Sequence, residues 1–71
     1  MNHITIQQLA YRIASRNNAV PRQDRDFTKS DFDCMSPLPD QIYAEFEREF
    51  PDFSREQERE FSMALNKFME A

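Results

Sequence analysis

Not one of the 71 residues is a glycine. The tight primed turns that join antiparallel strands need positive φ, and glycine is their usual occupant. A sheet-rich fold is therefore disfavoured, whereas helices lose nothing by the absence. Seven Phe and two Tyr supply more bulky apolar surface than a disordered chain of similar charge would carry. The sequence predicts a folded, all-α chain.

Helix boundaries can be read from caps and stripes. Thr5-Ile6-Gln7-Gln8 has the form of a capping box, with Ile4 and Leu9 placed as a hydrophobic staple. Ile6, Leu9, Ala10, Ile13 and Ala14 then recur with helical spacing, and Asn17-Asn18 is suited to a left-handed C-terminal cap before Val20-Pro21. Thr28 and Asp31 repeat the start signal with Phe27 and Phe32 as staple, which predicts a short helix whose Phe32 and Met35 form an apolar lid. Ser36 precedes Pro37 and Pro39, residues allowed in a first helical turn, and Pro51 stops the helix they open. Ser54-Arg55-Glu56-Gln57 is a further capping box, after which Phe61, Ala64, Leu65, Phe68 and Met69 form a stripe. The expected architecture is one domain, residues 1–71, built as a small bundle of three main helices (about 5–17, 37–50 and 54–70) plus a short helix (about 28–35). The short connection at residues 50–53 makes the last two helices an αα-hairpin.

Charge is divided unevenly. Residues 1–29 carry five Arg and Lys against two Asp, or +3; residues 30–71 carry four against eleven Asp and Glu, or −7, giving the net −4. That balance disfavours general nucleic-acid binding, whose affinity comes mainly from neutralising phosphates. It suits a charged protein partner, a basic one in particular, the opposite half of an identical chain, or mimicry of nucleic acid by rows of carboxylates. A lone Cys34, an N-terminus without a basic stretch and long apolar run, and no run of about 18 apolar residues predict a cytoplasmic protein with no membrane segment.

No recognisable chemistry emerges. His3 and Cys34 are the only good soft or borderline ligands for zinc, short of the four that a structural zinc site requires. A calcium loop counted from Asp24 would put Lys29 where glycine belongs and Met35 where a bidentate Glu belongs. Asp31 and Asp33 beside Cys34 disfavour its thiolate, and His3 has no second histidine to work with. The expectation is a non-enzyme without catalytic residue, cofactor or metal.

Residues 4–14, with a Thr-capped start and a Leu9-Ala10 pair, resemble the first helix of a helix-turn-helix. That resemblance implies a DNA-binding regulator in which Arg12, Arg16, Arg22 and Arg25 touch phosphate, but the proline-marked polar loop after Asn17 departs from the short turn such a motif needs. The preferred reading is a small acidic protein–protein interaction module: an accessory factor, inhibitor or adaptor of the kind frequent among bacteriophages and mobile elements. A core this small, with no disulfide and a surplus of Phe and Met, points to a homodimer. Phe46, Phe50, Phe53, Phe61, Leu65, Phe68 and Met69 are its core or interface candidates.

Overall fold

The Thr5 and Ser54 capping boxes both close. In the computed structural model, which describes residues 4–32 and 37–70, the Gln8 amide donates to Thr5 Oγ1 at 3.0 Å while the Thr5 amide donates to Gln8 Oε1 at 2.9 Å. Ser54 and Gln57 repeat the reciprocal pair at 3.2 and 2.7 Å. These bonds satisfy amide hydrogens that a helix start leaves without partners, and they open α1 (Ile6–Asn18) and α3 (Arg55–Phe68).

Where the sequence signal was proline, the boundary moves. α2 spans Asp40–Glu49 rather than beginning at residue 37. Pro39 is extended, at φ −58° and ψ 146°, and as a proline it also disfavours helical geometry at Leu38, so the chain turns helical only after both prolines have passed. The expected Ser36 cap lies outside the described residues. Of the expected helix over 28–35, the described part is a 3-10 turn at Lys29–Phe32, and a second such turn, Arg22–Asp24, lies in the expected loop. Thr28 and Asp31 do meet, the Thr28 amide donating to Asp31 Oδ2 at 2.7 Å, and the Phe27 and Phe32 rings pack 5.9 Å apart. The Asp31 amide donates to the Thr28 carbonyl at 3.0 Å, the i→i+3 bond of a 3-10 turn. Residues 33–35, with Met35 and Cys34, lie outside the described residues.

The α1 C-terminus also differs from expectation. Asn17 and Asn18 stay right-handed and the cap is Ala19, at φ −71° and ψ −19°; no described residue has positive φ. Arg25 removes the need for a left-handed cap. Its Nε donates to the Val20 carbonyl at 2.6 Å and its Nη2 to the Asn18 carbonyl at 2.7 Å, supplying donors to oxygens the helix end leaves open.

Ile6, Leu9, Ala10, Ile13 and Ala14 of α1 meet Phe32, Ile42, Phe46, Phe61, Ala64, Leu65 and Met69 in one core. α1 and α3 are the closest pair of helices, and Ala10, Ala14 and Ala64 in the buried stripes permit that approach. Their C-terminal ends lie together: Asn18 Nδ2 donates to the Phe68 carbonyl at 3.0 Å, and Asn17 Nδ2 reaches Met69 Sδ at 3.3 Å. α2 runs antiparallel to α1, because Arg16 meets Glu45 while Arg12, one turn back, meets Glu49, one turn on.

The α2 backbone stands further off and reaches the core through rings. Phe46 stacks on Phe61 with centroids 4.3 Å apart and planes 7° from parallel. Rings in contact at roughly 3.5 Å must slide by about 2.5 Å to reach that separation, which is the offset arrangement that ring quadrupoles favour. The hairpin between α2 and α3 is thus held open by aromatic thickness.

Candidate interaction surface

The aromatic residues nominated from sequence hold the fold together. Phe46, Phe61 and Leu65 are fully buried and Met69 nearly so, which places them in the core and removes them as contact residues for a partner of this folded form. Phe50, Phe53 and Phe68 are half-buried and lean on neighbours: Phe53 on Phe46 at 4.7 Å and Tyr43 at 5.6 Å, Phe50 on Phe46 at 5.5 Å, Phe68 edge-on to Tyr11 at 5.4 Å. Of the seven phenylalanines, taken from sequence as a sign of interface, Phe46, Phe50, Phe53 and Phe61 pack together between α2 and α3, while Phe27 packs on Phe32 and Phe68 on Tyr11.

Three of the four candidate phosphate-binding arginines are engaged inside the chain. Arg16 Nη2 donates to Glu45 Oε1 at 2.8 Å, Arg12 lies 3.7 Å from Glu49, and Arg25 adds Glu70 at 3.3 Å to its two carbonyls. The Arg25 side chain keeps only 10% of its surface exposed, so it closes the α1 end and offers little to a ligand. Arg22 is exposed and has no carboxylate partner among the described residues. A phosphate approaching α1 would compete with Glu45 and Glu49, and α1 is followed by a 3-10 turn where a recognition helix would stand.

A surface not singled out from sequence lies on the outer side of α3. At about 100° per residue, Met63 points about 180° away from the mean direction of Phe61 and Leu65, the buried stripe. It is accordingly 55% exposed, a large apolar side chain in a groove of about 720 Å³ that extends to Gln7 of α1. Arg55 and Arg59 form a cationic row along one side, Glu56 and Glu60 an anionic row along the other, and Lys67 closes the far end. Like charges four residues apart repel each other on a helix. None of these five groups makes an ion pair within 4 Å among the described residues.

The sequence held a signal for this face. Met63 falls off the apolar stripe, isolated between Glu60 and Lys67, where a solubilising residue would ordinarily stand. Among the described residues no three His, Cys, Asp or Glu gather as a metal site, and no helix is long and apolar enough to cross a membrane. No protein family, curated protein or solved structure matches the chain in comparison.

Proposed function

We propose that this chain is a small acidic, non-enzymatic protein–protein interaction module whose contact surface is the outer face of α3 with Gln7 of α1. The observation that carries the reading is Met63, an exposed apolar side chain bordered by two rows of like charge that make no ion pair among the described residues. An apolar centre with a charged rim is the anatomy of a protein interface, the centre supplying desolvation and the rim setting orientation. Because both signs are present, the partner must offer both; this favours a mixed surface over the uniformly basic one expected from net charge. The paired state of Arg12 and Arg16 weighs against the DNA-binding alternative.

The test is capture from an extract of the native host with wild-type chain and with Met63→Glu, both checked for unchanged helicity. Retention of a protein, or of the untagged chain itself, by wild type and its loss with the variant supports the reading. A retained set indifferent to residue 63, or an empty eluate, refutes it.

A further inference from the structure

α3 gives up its helical path at Met69, and side chains of α1 hold the chain from there on. The Met69 amide still closes the last turn on the Leu65 carbonyl at 2.9 Å, but its backbone is extended, at φ −71° and ψ 138°. Asn18 then grips the backbone on both sides of Met69: its Nδ2 donates to the Phe68 carbonyl at 3.0 Å and its Oδ1 accepts from the Glu70 amide at 3.2 Å. Between those two bonds the Met69 side chain turns into the core, 3% exposed, with its sulfur 3.3 Å from Asn17 Nδ2. Arg25 Nη2 reaches the Glu70 carboxylate at 3.3 Å. No turn of helix has to unwind for Met69 and Glu70 to leave. The Asn18 bonds and one seated side chain release together, and fraying helix ends open at free energies far below that of global unfolding.

We infer that Met69 and Glu70 form a latch that opens locally, and that oxidation of the Met69 sulfur by hydrogen peroxide holds it open. In the opened form a sulfur lone pair bonds to one peroxide oxygen as the O–O bond breaks. The other oxygen takes up the remaining proton and leaves as water, so two electrons pass from sulfur to peroxide and the thioether becomes a sulfoxide. The closed latch shields the sulfur from this reaction. Once formed, the sulfoxide does not fit the seat: an oxygen on the Asn17 side must enter a contact already made at 3.3 Å, and one on the other side meets apolar core without a donor.

Met63 supplies the contrast within the same helix. At 55% exposure it meets peroxide without any opening, and its added oxygen is solvated by water. Of these two sulfurs, only that of Met69 conveys oxidation to the fold, by loosening the end at which α1 and α3 meet. The inference is independent of what docks on the Met63 face.

The test is the rate at which hydrogen peroxide oxidises each methionine of the full chain, read by peptide mapping and mass spectrometry. Met69 should react about tenfold or more slowly than Met63, at a rate that stays level through low urea, where the chain remains folded, because a local opening exposes little surface. Asn18→Ala removes both side-chain bonds while keeping a good helix former, and should speed Met69 oxidation by about fivefold or more with the Met63 rate unchanged. A Met69 rate that climbs with urea in step with the unfolded fraction, or one indifferent to Asn18→Ala, overturns the local latch. Hydrogen exchange then reads the oxidised state. After peroxide treatment the Met69 and Glu70 amides should lose protection while the Leu9–Ile13 stretch keeps it. Met69→Leu, which fills the seat and cannot be oxidised, should retain protection at both amides after the same treatment. Unchanged exchange at residues 69 and 70 would show that the sulfoxide reseats, and lost protection throughout would show general unfolding; either result overturns the redox role.

Discussion

Replacing Phe46 by Leu tests whether aromatic stacking is what holds α2 in place. Leu keeps an apolar side chain in the site but removes three ring contacts: Phe61 at 4.3 Å, Phe53 at 4.7 Å and Phe50 at 5.5 Å. Each aromatic pair contributes about 0.5–1.5 kcal/mol beyond its buried area, so the gross loss is about 1.5–4.5 kcal/mol. Leu recovers part of it by packing, which leaves an expected destabilisation of about 2 kcal/mol. Against the roughly 4–11 kcal/mol expected for 71 residues, that is a large fraction of the total. It corresponds to a midpoint lowered by about 8–16 °C.

Urea and thermal unfolding followed at 222 nm measures this directly. The ring geometry also ranks three substitutions. Phe46→Leu loses three pairs, Phe53→Leu loses two (with Tyr43 and Phe46), and Phe50→Leu loses one, so the losses should fall in that order. A double-mutant cycle of Phe46 and Phe61 should return a coupling near 1 kcal/mol for the stacked pair. A Phe46→Leu variant within 0.5 kcal/mol of wild type, or a larger loss at Phe50 than at Phe46, would refute the reasoning.

Arg25→Lys should cost about 1–2 kcal/mol in urea unfolding, since an ammonium cannot reproduce the planar fork that serves the Asn18 and Val20 carbonyls together. Glu70→Gln, at the 60%-exposed end of the same contact, should cost under about 0.5 kcal/mol; equal losses at both positions would count against a capping role for Arg25. Thr5→Ala and Ser54→Ala should each cost about 1 kcal/mol in the same assay, with Gly costing less than Ala at either cap, because each removes the acceptor of a closed capping box. Coupling between Arg16 and Glu45, from a double-mutant cycle, should lie at about 0.2–1 kcal/mol in low salt and fade in 1 M salt; salt-independent coupling would show that the 2.8 Å contact acts by packing.

What sequence could reveal was whatever is encoded within one or two turns. Thr5 with Gln8 and Ser54 with Gln57 announce their helices because both partners of each cap lie three residues apart. The stripes Ile6–Ala14 and Phe61–Leu65 announce the core because period alone decides which side is buried. Pro39 misled by a few residues, since proline is as compatible with the extended approach to a helix as with its first turn. Arg25 gave no local sign of its role: its partners are five, seven and 45 residues away, and only the fold brings them together. The division of the aromatic residues was also hidden. Whether Phe46 and Phe61 pack inward or present outward depends on how far α2 stands from α3, a distance that no helical wheel contains.

The side-by-side placement of α1 and α3 has a kinetic consequence. The first helix packs most closely on the last, and Asn17 and Asn18 bond to groups 50 or 52 positions along the chain, at Phe68, Met69 and Glu70. Helical bundles usually fold fast because their contacts are local, whereas this topology must close a loop of nearly the whole chain before α1 finds its partner. During synthesis at about 5–20 residues per second, α1 spends several seconds complete but undocked, its Ile6–Ile13 stripe facing water. An isolated helix of 13 residues is marginal in water, so the capping box acts in that interval by raising the helical fraction of α1 and so lowering the ordering that docking must supply.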